Sequence, residues 1–255
     1  MLTNNNRYLI DDGSLNKLHK KYIANSTLTT IYDASGAGLL FHSCQKGDVE
    51  AIILLLACKN IDINKAMNNG VTPLYIACQE GRIDAIKLLL ARQDIDINKA
   101  MEAGVTPLLI ACPFGHIDVI KLLLAHPDIE INKAMYDGLT VLFVACEEAR
   151  IEVIKLLLAH PDIDINKAMC HGATSRYIAC QNGHLEVVKL LLAHPDIEIN
   201  KAMHDGSISL YIACQNGHLE VVKLLLAHPD IEINQAMDNA LLVSCLSPSN
   251  IANTR

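Results

Sequence analysis

Hydrophobic and polar positions follow one another in this chain in an order that starts again every 34 residues. Each period contains two stretches with aliphatic residues at helical spacing, separated by a polar turn. Every copy also places a glycine and a cysteine in the same register. These residues are Gly36, Gly70, Gly104, Gly138, Gly172 and Gly206, and Cys44, Cys78, Cys112, Cys146, Cys180 and Cys214. This self-similarity predicts an all-α repeat solenoid in which each unit buries its apolar face against its neighbours.

The start and end signals of both helices are clearest in the second copy. Thr72 can cap a helix whose first position is Pro73, a residue that suits that position because it lacks an N–H. Gly81 then breaks the chain, and Ile83 to Leu90 form a second helix with a broad apolar face. The repeat therefore contains a helical hairpin.

A segment reading His-Pro-Asp-Ile-acid-Ile-Asn follows the second helix and begins at His126, His160 and His194. Proline ends the helix, and the alternation of isoleucine with acidic residues predicts an extended strand. An Asp-Gly pair, as at Asp137-Gly138, predicts the turn that returns the chain to the next repeat. We call this whole connection the finger.

These residues resemble the ankyrin repeat. The resemblance rests on Thr-Pro-Leu-Tyr-Ile-Ala-Cys-Gln at Thr72 to Gln79, on Asn-Gly-His-Leu-Glu-Val-Val-Lys-Leu-Leu-Leu at Asn182 to Leu192, and on the Asp-Gly turns. It covers residues 36–246 and implies a right-handed stack of helix pairs. Full repeats start at Gly70, Gly104, Gly138, Gly172 and Gly206, with a weaker repeat at Gly36 and a partial one at Ala240. The extra residue relative to the family's usual 33 lies in the His-Pro-Asp-Ile loop.

The two ends of the chain are less regular. Residues 1–35 form a polar segment in which Ser14 to Ile23 shows helical spacing, and we expect this helix to cap the first repeat. At the other end, Leu241 to Val243 either form a cap or belong to a fragment of a longer protein, and residues 247–255 form a tail.

Composition narrows the class of partner and the compartment. The formal net charge of −7 is spread over the repeats and provides no basic stripe, which argues against nucleic acid. No apolar run is long enough to span a bilayer, and Met1 to Asp12 lack the pattern of a signal peptide. A column of single cysteines indicates buried thiols in a reducing compartment. We expect a monomeric cytoplasmic protein, with the nucleus as a second location.

No arrangement of residues predicts catalysis, a metal or a cofactor. His42 and Cys44 point in different directions on one helix, and so do Glu147 and Glu148. The histidines of the His-Pro-Asp loops advance by a whole repeat each time, so they cannot surround one ion. We therefore expect the protein not to be an enzyme.

The resemblance also implies where a partner binds, because ankyrin proteins generally hold partners on the concave surface made by finger tips and first helices. The matching residues here are Glu102, Phe114, Tyr136, Asp137, Glu147, Glu148, His171, His204 and Asp205. Aromatic residues surrounded by acids predict a basic or amphipathic protein segment as the ligand. Phe114 should cluster with Tyr136 and Glu147. Tyr75, Tyr177 and Tyr211 are expected to serve packing.

The sequence thus predicts a non-catalytic protein-binding scaffold or adaptor. A second possibility is a targeting or inhibitory segment of a larger enzyme or channel complex. The family is also known for modification of a finger asparagine, which corresponds here to Asn64, Asn98, Asn132, Asn166, Asn200 and Asn234. We expect these side chains to bond the finger backbone first.

Three residues depart from the chain's own pattern. Pro113 lies near the end of a first helix, and Ala149 replaces a turn glycine. Arg176 occupies a register that is leucine in four other repeats, at Leu74, Leu108, Leu142 and Leu210. We expect the arginine to snorkel outward or to lose packing, which would weaken the fifth repeat.

Overall fold

The computed structural model describes residues 32–232, which contain twelve α-helices in two compact units that divide between Ile129 and Glu130. Helices of the first unit are α1 (Leu39–Lys46), α2 (Val49–Leu56), α3 (Pro73–Gln79), α4 (Ile83–Leu90), α5 (Pro107–Ala111) and α6 (Ile117–Leu124). Those of the second are α7 (Val141–Glu147), α8 (Ile151–Leu158), α9 (Ser175–Gln181), α10 (Leu185–Leu192), α11 (Ser209–Gln215) and α12 (Leu219–Leu226). The all-α repeat architecture is confirmed. The expected capping helix at 14–23 and the partial repeat at 240 lie outside the described residues.

Threonine caps begin the first helices of four repeats, as the Thr-Pro signal predicts. The hydroxyl oxygens of Thr72, Thr106, Thr140 and Thr174 each accept a hydrogen bond from the backbone N–H three residues later, at 3.1–3.2 Å. This bond satisfies one of the N–H groups that a helix leaves free at its start. The local sequence therefore sets where each helical hairpin begins.

Within each unit, helices in equivalent positions pack side by side. The first helices α7, α9 and α11 contact one another in sequence, and the second helices α8, α10 and α12 form a parallel layer beside them. The cysteine column lies in this core, from Cys44 to Cys214, and all the described cysteines are free thiols. Burial raises the pKa of the Cys44 thiol to about 12. The prediction of buried, inert cysteines is confirmed.

The fingers contain no strand within residues 32–232, so the prediction from Ile-acid-Ile alternation is wrong there. The chain instead forms successive turns, with isolated bridges such as that between Ala168 and Thr174. Neighbouring finger tips meet through single backbone bonds, such as His204 N–H to His171 O at 3.1 Å, and a ladder needs several in succession. Alternating isoleucines serve a different purpose here, because Ile165 and Ile199 insert into the core.

Finger asparagines join each repeat to the next. In the second unit, the Asn166 amide donates to the Asp196 carbonyl at 2.6 Å, and its Oδ1 accepts from the Glu198 N–H at 3.0 Å. The N–H of Asp196 in turn donates to Nδ1 of His194 at 3.3 Å. The N–H and the C=O of Asp196 are thus both hydrogen-bonded by side chains. The prediction that these asparagines bond backbone is confirmed for Asn64, Asn98, Asn132, Asn166 and Asn200.

Arg176 does not snorkel outward, which corrects that expectation. Its side chain is fully buried in α9, and Nη2 donates to the carbonyls of Glu198 and Lys201 at 3.1 and 3.2 Å. Nη1 has no hydrogen-bond partner. Burial lowers the pKa of this guanidinium to about 10, because removing a charge from water disfavours the charged form. Arg176 is therefore held inside by the finger backbone but remains incompletely satisfied.

Replacing the buried charge with the residue found in other repeats should stabilise the protein. We expect Arg176→Leu to raise the free energy of unfolding by about 1 kcal/mol, since a well-packed apolar residue avoids the cost of desolvating the guanidinium. The Glu198 carbonyl keeps its backbone bond from the Lys201 N–H. Urea unfolding followed by circular dichroism measures the change. A lower midpoint would mean that the two finger bonds outweigh desolvation.

Candidate functional site

Finger tips of the second unit form a continuous row. Cys170 N–H donates to the Asp137 carbonyl at 2.7 Å, and His204 N–H donates to that of His171 at 3.1 Å. Their side chains all face solvent, and Tyr136 is 84% exposed. The structure therefore brings together the predicted tip residues Tyr136, Asp137, His171, His204 and Asp205.

Two carboxylates in this row are oriented by their own turns. Oδ1 of Asp137 accepts from the Leu139 N–H at 3.1 Å, and Oδ1 of Asp205 accepts from the Ser207 N–H at 2.9 Å. The backbone and side-chain bonds from Ser207 lower the pKa of Asp205, with a smaller effect from His171. Asp205 is thus a fixed negative charge at neutral pH.

The C-terminal end of α7 adds the predicted acidic pair. Glu147 and Glu148 are both exposed, and the Glu147 backbone carbonyl carries the bonds to the next repeat. Its carbonyl accepts from Nε2 of His184 at 3.0 Å and from the Asn182 amide at 3.4 Å. His116 and His218 bond the carbonyls of Gln79 and Gln181 in the same way. Both glutamate side chains remain free to meet a ligand.

Phe114 and Glu102 belong to the first unit. Pro113 follows the shortened helix α5, and the turn after it leaves Phe114 55% exposed. The Phe114 ring stacks on His116 with centroids 5.8 Å apart, and Nε2 of His116 contacts the Gln79 carbonyl at 3.0 Å. The phenyl ring is therefore supported although it faces solvent. Glu102 is exposed as well. Because Tyr136 and Glu147 lie in the second unit, their clustering with Phe114 stays a prediction.

Charge is distributed unevenly between the two helical layers. Carboxylates in the first turn of the second helices pair with a lysine three residues later: Asp84–Lys87, Asp118–Lys121, Glu152–Lys155, Glu186–Lys189 and Glu220–Lys223, at 2.6–3.7 Å. In contrast, no ion pair within 4 Å joins any described cation to Glu102, Asp137, Glu147, Glu148 or Asp205. We call the surface made by finger tips and first-helix ends in each unit the finger-tip face. Its five carboxylates named above have no ion-pair partner among the described residues.

Two tyrosines assigned to packing also reach this face. Tyr75 is only 5% exposed, as expected, but Tyr177 and Tyr211 at the same register are half-buried. Burial, and then the nearby Asp205 and Tyr211 side chains, raise the pKa of the Tyr177 phenol. The sequence signal for this pair was that Tyr177 and Tyr211 recur at the same register in consecutive repeats.

Residues 32–232 contain neither a metal-ligand cluster nor a membrane-spanning helix. Among them, no group of three or more histidine, cysteine, aspartate or glutamate side chains is placed to hold a metal ion. No helix in the same range has the length and hydropathy to cross a bilayer.

Stacked helical hairpins that present a row of finger tips define a repeat protein of the interaction class. The family model of ankyrin repeats matches residues 8–101, 96–169 and 162–237, so the chain belongs to the ankyrin repeat family. The structure is similar to the ankyrin repeat protein EF0377, with a TM-score of 0.69 and 25% identity over 78% of this chain and 100% of that one. It is also similar to the ankyrin repeat domain of Bcl-3, a unique member of the IkappaB family, with a TM-score of 0.69 and 26% identity over 75% and 86% of the two chains. No curated protein matches the sequence significantly. Ankyrin repeats are generally protein–protein interaction modules.

Proposed function

We propose that this protein is a non-catalytic scaffold or adaptor that binds, as a monomer, a basic or amphipathic segment of a partner protein on its finger-tip face. The binding residues are Glu102, Phe114, Tyr136, Asp137, Glu147, Glu148, His171, His204 and Asp205. All of them are exposed.

The observation that supports this proposal most strongly is the unpaired charge on the finger-tip face. Five carboxylates on the second helices pair with their own lysines, whereas the finger-tip carboxylates of the second unit form no ion pair within 4 Å with a cation of the described residues. A basic partner supplies that cation and gains electrostatic steering during association. An exposed tyrosine adds contact area at low entropic cost, which is why tyrosine is common in binding hot spots.

The proposed compartment is the cytoplasm or the nucleus. The described cysteines are free, and Cys170 is an exposed thiol on a finger tip. Reducing compartments keep such thiols unpaired.

A charge-reversal pair tests the face directly. We expect Glu147→Lys with Glu148→Lys to reduce capture of a specific partner from cell lysate at least about tenfold, because like charges then oppose a basic segment. Quantitative mass spectrometry of captured proteins measures the loss. The fold should persist, since only the backbone of Glu147 bonds the neighbouring repeat.

The matched control is Glu152→Lys with Glu186→Lys, which changes the net charge equally on the second helices of the same unit. It breaks two exposed ion pairs and places lysines three residues apart, and each of these changes costs less than about 1 kcal/mol. The control should retain the partner. If both variants lose the partner equally, the effect comes from overall charge. If both variants retain the partner, Glu147 and Glu148 are not part of the binding site.

A further inference from the structure

Tyr177 and Tyr211 lie one repeat apart on neighbouring helices of the second unit. Each is the third residue of its helix, in α9 and α11, and these two helices pack directly against each other. Packed helices lie about 8–10 Å apart, so one long side chain can touch both rings. Both phenols are partly exposed. The pair is therefore accessible from the finger-tip face.

Asp205 adds a carboxylate at this position. Its finger tip is joined to the preceding one by the bond from His204 N–H to the His171 carbonyl, and Ser207 N–H fixes its Oδ1. The Met203–His204 backbone of the same tip packs closely against Gly172, five residues before Tyr177, and Asp205 contributes to the raised pKa of that phenol. Two aromatic rings and an oriented acid thus share one corner of the second unit.

No lysine or arginine of residues 32–232 neutralises this corner, although the His171 imidazole has a small effect on the pKa of Asp205. Asp205 forms no ion pair within 4 Å among residues 32–232. Arg176 precedes Tyr177 in sequence, but its guanidinium is buried against the carbonyls of Glu198 and Lys201. This guanidinium therefore bonds the finger backbone and forms no ion pair with Asp205.

We propose that Tyr177, Tyr211 and Asp205 form a receptor for one cationic side chain, lysine or arginine, of the partner protein. The receptor rests on the proposed scaffold function and locates its main charged contact in the fifth and sixth repeats. Aromatic faces attract a cation through their quadrupole, and the carboxylate supplies a charge-assisted hydrogen bond. An apolar side chain would desolvate Asp205 without replacing its bonds to water.

The first unit contains the same tyrosine register without the other two receptor residues. Tyr75 has the register of Tyr177, but Ala103 and Leu109 occupy the registers of Asp205 and Tyr211. Leu109 is buried, and Tyr75 is buried with it. The same scaffold position therefore packs inward when the acid and the second tyrosine are missing.

Short blocked peptides test the receptor without the natural partner. The probes are Ac-Gly-Gly-X-Gly-Gly-NH2, where X is arginine, lysine, citrulline or norleucine, titrated against the full chain with ¹³C-labelled tyrosine rings. We expect arginine and lysine peptides to shift the Tyr177 and Tyr211 signals and leave those of Tyr75 and Tyr136 unchanged. Citrulline has the shape of arginine without its charge, and it should bind at least tenfold more weakly, as should norleucine.

Two variants with precedent in the chain separate recognition from folding. Asp205→Asn keeps an oxygen for the Ser207 N–H and should weaken arginine and lysine binding at least tenfold. The control Asp164→Asn removes an equally exposed carboxylate, keeps an oxygen for the Asn166 N–H and should not weaken binding. Tyr211→Leu copies Leu109 and should also weaken binding. Equal binding of citrulline and arginine, or no effect of Asp205→Asn, would overturn the receptor.

The receptor and the scaffold can fail separately. If a captured partner is lost with the Glu147 and Glu148 reversal but unaffected by Asp205→Asn, the scaffold stands and the receptor is wrong. If the peptides bind as expected while neither set of variants changes capture, the receptor stands and the proposed binding face for the partner is wrong.

Discussion

Gly172→Ala should lower the free energy of unfolding by about 3 kcal/mol. Gly172 has φ of +95°, a left-handed conformation that costs a residue with a Cβ about 1–2 kcal/mol. A Cβ there would also lie 2.8 Å from both the Met203 Cα and the His204 nitrogen. These atoms are backbone and cannot rotate away, so the next finger tip must shift. Urea unfolding measures the loss.

Gly217→Ala is the control for conformation alone. Its φ is +76°, but no atom lies within 4 Å of the added Cβ. We expect a loss of about 1 kcal/mol, which reflects only the left-handed backbone. If both variants lose the same stability, the close approach between finger tips is not what requires glycine at Gly172.

Leu191→Ala should be still more damaging, at about 3–5 kcal/mol. Leu191 is fully buried in α10, between the first and second layers of the fifth repeat and its neighbours. Truncation removes apolar side-chain surface that folding buries, and it leaves a cavity that the packed helices cannot close. The urea midpoint of the folded chain, followed by far-ultraviolet circular dichroism, gives the difference.

Leu192→Ala tests whether the helix faces are correctly assigned. Leu192 is adjacent in sequence but only half-buried, and alanine is the better helix former. Its truncation should cost about 1 kcal/mol. A cost as large as that of Leu191 would place both leucines in the core and contradict the packing of α10.

Helix positions could be predicted from sequence because their signals are local. Thr72, Pro73 and Gly81 specify the start and break of a hairpin within ten residues of one another. The finger was mispredicted because alternating isoleucines can fill a core from turns as well as from strands. The burial of the Arg176 side chain could not be predicted either. The carbonyls that hold it are 22 and 25 residues away, and backbone carbonyls cannot be recognised from residue type.

Exposure of the candidate site could likewise be predicted, because the ankyrin register separates tip positions from stacked ones. Tyr177 and Tyr211 could not be distinguished from Tyr75 by register alone. Tyr177 differs from Tyr75 in its neighbours one repeat ahead, where Asp205 and Tyr211 replace Ala103 and Leu109. The acid–lysine pairs on the second helices were visible as spacing, but the lack of an ion pair to Asp205 among the described residues required the geometry.

The asparagine bonds between repeats have a consequence for how such a chain can change length during evolution. Asn132 and Asn166 each bond the carbonyl 30 residues ahead, at Asp162 and Asp196. Loss of one whole 34-residue period would therefore place Asn132 opposite Asp196 with the same partners, whereas a deletion that is not a whole number of periods would misalign the bond that spans it. Recombination within the gene can thus add or remove finger tips in units of one repeat. The finger-tip residues can diversify while the asparagines preserve the hydrogen bonds between repeats.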